Sequence, residues 1–392
     1  MMRQAGRHMK VRCSWSWLLS LFVFLRRPIE SWRRNIRTSE TGVRIQILPQ
    51  KSGDTVHISV PFVISSNSLQ PWLQYKTDGV ILFSDILTPL PGMGVDFQIE
   101  NNGPKLGDWT APESLKKLKD LDPYQSTPFV GQTLRNLRRE VGNEATVLGF
   151  VGAPFTLASY MIEGGSSDDF AATKKMMYSS PDTLHKLLSH LAENIATYAS
   201  YQIRHGAQVI QLFDSWAGTL SPLDYDTFAL PYQQRIISKI KQDHPKVPVI
   251  IFAAKSGAII ERLVQSGAHC ISLDWTTSIR EIRERIKSPR LVLQGNLDPL
   301  VLLGPKEVIK DRTNRILNEG HRKRKSPIKR HIMNLGHGVH TETPEENVQY
   351  FVDLVKEYRA PKRIRLRPAD YEADEVDENQ DEDVDSDDED FE

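Results

Sequence analysis

Cysteine is nearly absent: of 392 residues, only Cys13 and Cys270 carry a thiol. So few exclude a disulfide scaffold and a cysteine-rich zinc module, and they fit a reducing compartment. The chain also lacks a long apolar run. Trp15 to Leu25 is the best candidate, and it falls short of the roughly 20 residues that a membrane span needs. Several catalytic signatures are missing too. No G-x-G-x-x-G follows a strand, and there is no G-x-x-x-x-G-K-[ST], no H-E-x-x-H and no G-x-S-x-G. These absences count against dinucleotide, P-loop, zinc-protease and α/β-hydrolase chemistry. His331, His337 and His340 are near one another in sequence, but a zinc site needs further ligands that cannot be placed beside them.

The formal net charge of zero hides two unlike parts. Between Asp370 and Glu392 there are 15 acidic residues and no Lys or Arg. Taking those 15 from the 50 acidic residues leaves 35 against 50 basic ones, a body of about +15. A basic body suits an anionic ligand or surface. The acidic stretch, 368–392, has almost nothing to bury and is expected to stay disordered and solvated. The run Arg322-Lys323-Arg324-Lys325, with Lys329 and Arg330, has the composition of a nuclear-localisation patch. It reads better as an exposed loop between a helix and the last strand.

Arg3, Arg7, Lys10 and Arg12 precede the apolar run, and Arg26, Arg27 and Pro28 follow it. That is the outline of a secretory signal, but no A-x-A-like cleavage site follows. Residues 26–66 have no sustained helical period and only one strand-like stretch, Val43 to Leu48. From residue 67 onward the pattern is regular. Strands are expected at Val80–Phe83, Thr146–Val151, Gln208–Phe213, Val247–Ala253, His269–Leu273, Leu291–Gln294 and His331–Leu335, all short apolar runs. Helices are expected at Pro181–Tyr201, Pro231–Gln242, Ala258–Gln265, Ser278–Lys287, Lys306–Asn318 and Pro344–Tyr358. Ser180 and Thr343 read as caps ahead of Pro181 and Pro344. Repeated strand–helix units imply parallel strands, because each return needs a crossover. With no nucleotide fingerprint, a closed (β/α)8 barrel is expected, one strand more than the seven visible.

Polar or glycine-rich residues follow most of these strands: Ser84-Asp85, Gly152-Ala153-Pro154, Asp214-Ser215, Asp274-Trp275, Gly295-Asn296-Leu297-Asp298 and Gly336-His337-Gly338. One such Asp is usually a turn residue or cap. In a barrel, however, all these ends open on one face, the face that carries active sites. Gly149, Gly152, Gly295, Gly336 and Gly338 are read either as close approaches to a ligand or as turn glycines.

The strings MRQAGR (Met2–Arg7), FSDIL (Phe83–Leu87), GFVGAPFTLASYMIEGG (Gly149–Gly165), QLFDSWAG (Gln211–Gly218), SLDWT (Ser272–Thr276), QGNLDP (Gln294–Pro299) and NLGHG (Asn334–Gly338) resemble the uroporphyrinogen decarboxylases. The resemblance runs from about Ser68 to Arg359, plus the first few residues. FSDILTPLPGM and TPEENV are most similar to the plastid and cyanobacterial branch. It implies a (β/α)8 barrel, a homodimer, and removal of CO2 from the four acetates of uroporphyrinogen III to give coproporphyrinogen III, on the route to haem and chlorophyll. No cofactor or metal is implied, and neither a nucleic acid nor a membrane is an expected partner. Asp85 would face the pyrrole N–H groups and stabilise positive charge on the ring. Arg3 and Arg7 would grip substrate carboxylates, with Arg3 or a water it holds as a proton source. The backbone at Gln4, Ala5 and Gly6 would donate to anions, and Tyr160, Ser215 and His337 would orient the acid side chains.

This chain departs from the family in places. The family's first strand runs into the arginine motif from upstream, so here that strand is expected to be truncated. Residues 9–66 do not match the family's continuation, as a wrong start and a retained intron would explain. The expected layout is 1–8 as the start of the barrel, 9–66 non-matching, 67–360 the barrel and 368–392 the tail. Two other readings stand beside the decarboxylase. One is a cobalamin-linked methyltransferase of the same superfamily, which would need thiolate and imidazole zinc ligands where only Cys270 is available. The other is an inactive relative kept as a binding or dimerisation module. By resemblance the protein is expected in the plastid, with the cytoplasm as the alternative.

Overall fold

The seven apolar runs become seven parallel strands. The computed structural model describes residues 60–100, 103–286, 288, 291–320 and 331–359. Through Tyr358 they belong to one compact unit; a second unit begins at Arg359, its one described residue. The chain enters through α1 (Val60–Tyr75) and β1 (Gly79–Ile81). An antiparallel hairpin follows, β2 (Phe97–Glu100) and β3 (Gly103–Leu106), then α2 (Pro123–Ser126) and α3 (Pro128–Val141). Next come β4 (Thr146–Gly152), α4 (Pro154–Glu163), α5 (Ala171–Ser179) and α6 (Pro181–Arg204). They lead to β5 (Val209–Phe213), α7 (Pro222–Phe228), α8 (Leu230–Asp243), β6 (Val249–Phe252) and α9 (Ile260–Gln265). The last third is β7 (Cys270–Ser272), α10 (Ile279–Arg285), β8 (Val292–Gln294), α11 (Lys306–Gly320), β9 (His331–Ile332) and α12 (Glu345–Glu357).

The large sheet has the order β1-β4-β5-β6-β7-β8-β9, with every neighbouring pair parallel. Strand order follows chain order with helices between, which is the (β/α)8 barrel arrangement with seven of its strands among the described residues. The strand expected to lead into the arginine motif falls in residues 1–8, outside the described residues. Arg3, Gln4, Ala5, Gly6 and Arg7 lie there as well. The stretch Val43–Leu48, the basic run 322–330 and the acidic tail are also outside the described residues.

Inside the barrel, β5, β7 and β8 are tied by a buried polar contact. The Gln294 amide donates to Ser272 Oγ at 3.0 Å and to Gln211 Oε1 at 3.4 Å. A satellite apolar cluster joins the two ends of the helical ring: Tyr75 from α1 packs with Leu302, Ile309, Leu335, Val348 and Phe351. Lys356 of α12 donates to the Tyr75 carbonyl at 2.6 Å. No helix among the described residues is long and apolar enough to cross a membrane.

Three local expectations shift. The region before residue 67 has no legible helical period, yet α1 begins at Val60. It opens with the apolar run Val60 to Ile64 and continues with the polar run Ser65 to Ser68, so no stripe shows, and Ser65 and Ser68 return their hydroxyls to the Pro61 and Ile64 carbonyls. Ser180 occupies the cap position of α6 without a side-chain bond. The cap of α12 falls on Pro344 rather than Thr343.

Strand β1 is short, and this exposes its neighbour. Leu82 still donates to the Leu148 carbonyl at 2.9 Å, but Phe83 donates to Ser68 Oγ of α1 at 2.8 Å. Further along β4, Phe150 is paired instead by a side chain of α6. Gln202 Oε1 accepts from the Phe150 N–H at 2.9 Å, and its Nε2 donates to the Phe150 carbonyl at 2.8 Å. Gly149 makes room for it, since a Cβ there would strike Gln202 Oε1 and come within 3.0 Å of the Ala207 Cβ. Replacing Gln202 with Leu strands two buried backbone groups, at about 1–3 kcal/mol each. The thermal midpoint of Gln202→Leu should therefore fall by at least about 4 °C, at roughly 2–4 °C per kcal/mol for a domain of this order. An unchanged midpoint in differential scanning fluorimetry would mean that Phe150 finds other partners.

Candidate active site

The departure of β1 at Phe83 aims the next turn at the open rim. Within it, Asp85 Oδ1 accepts the Leu87 N–H at 2.7 Å. The Asp85 carbonyl accepts from the Thr88 N–H at 3.1 Å, and the Asp85 N–H donates to Thr88 Oγ1 at 3.2 Å. Ser84 Oγ lies 3.0 Å from Thr88 Oγ1. The turn thus occupies one carboxylate oxygen and leaves Oδ2 with no protein donor among the described residues. Asp85 keeps partial exposure to solvent while protein crowds round it on nearly every side, as at the foot of a cleft. That crowding desolvates the charge and pushes its pKa up to about 6, against the lowering effect of the Leu87 N–H.

Two tyrosines feel this carboxylate. Tyr160 on α4 is buried, and its pKa is raised first by burial and then by the Asp85 charge, with a Ser166 hydrogen bond opposing. Tyr198 on α6 is fully buried, and its pKa is raised by burial, Tyr201 and Asp85 while it bonds Gln202 and Ser84. Tyr160 also lies against Trp216, with ring centroids 4.0 Å apart and planes at 30°. Trp216 follows Ser215 on the loop after β5. Ser215 is half-buried, and its carbonyl accepts from Ala254 at 3.3 Å. Asp85, Tyr160 and Ser215 are therefore tied into one neighbourhood, through charge and through Trp216.

His337 sits on the loop after β9, at the other end of the sheet order. It meets Trp275, from the loop after β7, edge to face at 5.9 Å. Burial lowers its pKa against the pull of Asp274, so the imidazole is neutral at neutral pH. All four residues stand beyond the C-terminal ends of parallel strands, the functional face of a barrel.

Most of the other polar strand ends turn inward, and here expectation and structure part. Asp214 accepts three hydrogen bonds, from the Thr156 N–H, Thr156 Oγ1 and Gln233 Nε2. Asp274 accepts from the Thr276 N–H and hydroxyl and from the Lys255 N–H. Asn296 donates to the Asp274 and Thr277 carbonyls, and Asp298 caps a short helical turn at Leu300. Gly152 and Gly336 face protein atoms, Leu157 and the Trp275 backbone respectively, rather than open space. Of the glycines singled out, Gly295 is the one with positive φ, +118°. The sequence does not mark Trp216, Tyr198 or Ser68 as site residues: Trp216 falls inside the QLFDSWAG string, while Tyr198 and Ser68 look like ordinary helix positions. A cavity of about 480 Å³ is lined by Trp275, Asn296, Asp298, Arg312 and Arg315 among others; it meets the rim only through Trp275 beside His337 and is lined by none of the four rim residues themselves. Cys270 is buried in β7, where burial pushes its thiol up to about 12. Among the described residues no group of three or more His, Cys, Asp or Glu is arranged to hold a metal.

A parallel (β/α)8 sheet whose catalytic face holds one desolvated carboxylate beside buried tyrosines defines a barrel enzyme. The family model described as uroporphyrinogen decarboxylase (URO-D) matches residues 60–358, and the chain belongs to that family. It is 46% identical, over 91% of its length and 90% of the relative's, to the uroporphyrinogen decarboxylase of Trichodesmium erythraeum (strain IMS101). It is 45% identical to that of Synechococcus sp. (strain CC9605), over 94% and 92% of the two chains. Among solved structures, a methyltransferase from Methanosarcina mazei superposes with a TM-score of 0.64, covering 76% of this chain and 85% of that one. At 21% identity that likeness speaks for the fold alone.

The Asp85 charge has a price in stability whose sign is set by its raised pKa. The folded state holds the proton more tightly than the unfolded one. The stability that goes with it is complete below the ordinary value of 3.8 and is lost as pH rises through about 6. At about 1.4 kcal/mol per unit, the deficit at pH 7.5 reaches up to about 3 kcal/mol. Asp85→Asn keeps the Oδ1 acceptor and drops the charge. Urea unfolding should find it about 2–3 kcal/mol more stable than wild type at pH 7.5, with the advantage shrinking by pH 4.5. An equal difference at both pH values would refute the desolvated-charge account.

Proposed function

We propose that the chain decarboxylates uroporphyrinogen III at its four acetate side chains, giving coproporphyrinogen III. The observation that carries the reading is Asp85: a desolvated carboxylate on the barrel rim with one oxygen anchored and the other without a protein donor among the described residues. In each round a proton adds to the pyrrole carbon beside the acetate-bearing carbon, which turns the ring into a cationic electron sink. The bond to the carboxylate then breaks, its electron pair flows into the ring, and CO2 leaves. A proton adds to the exocyclic carbon to make the methyl group, and the ring carbon releases its proton. One proton is consumed and one CO2 is formed per acetate.

Positive charge develops on the ring nitrogen, so an ionised Asp85 accepting from the pyrrole N–H stabilises the step where the charge appears. Its incomplete solvation strengthens that interaction. Tyr160, Ser215 and the neutral His337 offer hydroxyl and imidazole groups to the acid side chains. Arg3 and Arg7 would supply bidentate cations for the carboxylates, with backbone donors at Gln4, Ala5 and Gly6. Arg3, or a water on it, would deliver the proton. The reading includes a homodimer that needs no cofactor, testable by sedimentation and by activity in chelator. The cyanobacterial relatives support a plastid location and a part in chlorophyll as well as haem synthesis; fractionation of the native tissue tests the location.

Following hepta- to tetracarboxylate products from uroporphyrinogen III tests the activity, and no product from the full chain would overturn it. Asp85→Asn should lose about a hundredfold or more in turnover, equivalent to roughly 3 kcal/mol of transition-state stabilisation. In the wild type, kcat/KM should fall on the acid side of pH about 6 as Asp85 takes up its proton. A profile flat from pH 5 to 8 would remove Asp85 from the mechanism.

A further inference from the structure

The loop with Ser215 and the helix with Tyr160 come from different strand–helix units, and one buried chain of hydrogen bonds joins them. It starts at Tyr225 of α7, whose hydroxyl donates to Gln233 Oε1 of α8 at 2.6 Å. Gln233 Nε2 donates to Asp214 Oδ2 at 2.6 Å. Asp214 Oδ1 accepts from Thr156 Oγ1 at 2.7 Å and from the Thr156 N–H at 3.2 Å. Thr156 Oγ1 in turn accepts the Trp216 N–H at 3.2 Å. Tyr225, Gln233, Asp214 and Thr156 are each completely buried.

Every link has a single direction. Asp214 accepts on both oxygens, which opposes the rise that burial gives its pKa, and the Thr156 hydroxyl spends its hydrogen on Asp214 while receiving Trp216. Thr156 is in the first turn of α4, and Tyr160 stands one turn further along the same helix. Trp216 closes the loop by lying against the Tyr160 ring. The relative placement of Tyr160 and Ser215 is thus written into one carboxylate and one hydroxyl that do not reach the rim.

Building on the proposed decarboxylase reading, we infer that Asp214 and Thr156 are positioning residues for substrate binding: they lock the Ser215–Trp216 loop to the Tyr160 helix, and so set the spacing of two groups that hold the macrocycle's acid side chains. Asp214 does no chemistry. Its loss should weaken the hold on substrate more than it slows the reacting ring, because Asp85 belongs to a separate turn.

The test uses the full chain and uroporphyrinogen III. Thr156→Val keeps the shape and removes the hydroxyl, which takes the Thr156 acceptor away from the Trp216 N–H and one donor from Asp214. KM should rise about tenfold or more while kcat stays within about threefold, the pattern of lost ground-state binding. Thr156→Ser restores the hydroxyl and should return KM to within about twofold of wild type. Tyr225→Phe cuts only the far end of the chain and should raise KM about threefold; it decides the matter if Thr156→Val does not fold. Unchanged KM in a folded Thr156→Val, or in Tyr225→Phe where Val does not fold, would overturn the inference, as would failure of Ser to rescue. Absence of turnover in wild type would instead sink the activity on which the inference rests.

Discussion

The barrel opens where β1 stops bonding to β4. Among the described residues their ladder runs out with the Leu82 N–H on the Leu148 carbonyl, while the Phe83 N–H, on the opposite side of the strand, goes to the Ser68 hydroxyl of the first helix. Beyond it the chain swings into the Asp85 turn. The seat left empty at Phe150 is filled by Gln202, and Gly149 must lack a side chain to admit it. A helix hydroxyl and a helix amide thus do for β1 and β4 what more strand would have done. In exchange, the backbone is freed to present a carboxylate instead of another buried apolar residue.

Asp85 and Asp214 show how one residue type serves opposite ends. Both are desolvated. Asp214 has both oxygens engaged by three donors from α4 and α8, so it behaves as a fixed acceptor inside the fold. Asp85 has one oxygen engaged by its own turn, and its second has no protein donor among the described residues. The first can be removed only by disturbing its neighbours. Among the described residues the second has no N–H donor on its free oxygen, a place that a pyrrole ring can fill. The count of donors around a carboxylate, more than its burial, separates scaffold from site.

Much of the barrel was legible because buried parallel strands read as short apolar runs, and all seven sit where those runs predict. Helices with proline near the start, such as α6 and α8, were legible for the same local reason. Helix α4 was not, because it is buried all round and shows no polar stripe. The β2–β3 hairpin was not read either, although Asn101-Asn102-Gly103 has the composition of a tight turn, because Pro104 within the second run speaks against a strand. For the site, the residues alone pointed to the strand ends but could not tell Asp85 from Asp214 or Asp274. That difference depends on donors such as Thr156, Gln233 and Lys255, which arrive from elsewhere in the fold. Only the resemblance to a family singled out Asp85, Tyr160, Ser215 and His337.

The bond from Lys356 to the Tyr75 carbonyl joins residues 281 positions apart. A ribosome delivers Tyr75 long before Lys356, so during synthesis the end of α1 has neither its last hydrogen-bond partner nor most of its apolar neighbours. Leu302, Ile309, Val348 and Phe351 all come from the final hundred residues or so. The packing of α1 therefore cannot be completed piece by piece as the chain emerges, because its last partners arrive only with α12. Until then a growing chain carries an open strand edge and uncovered apolar surface, the features that draw chaperones and invite aggregation. The contacts that join α1 to α12 are thus among the last that synthesis makes possible.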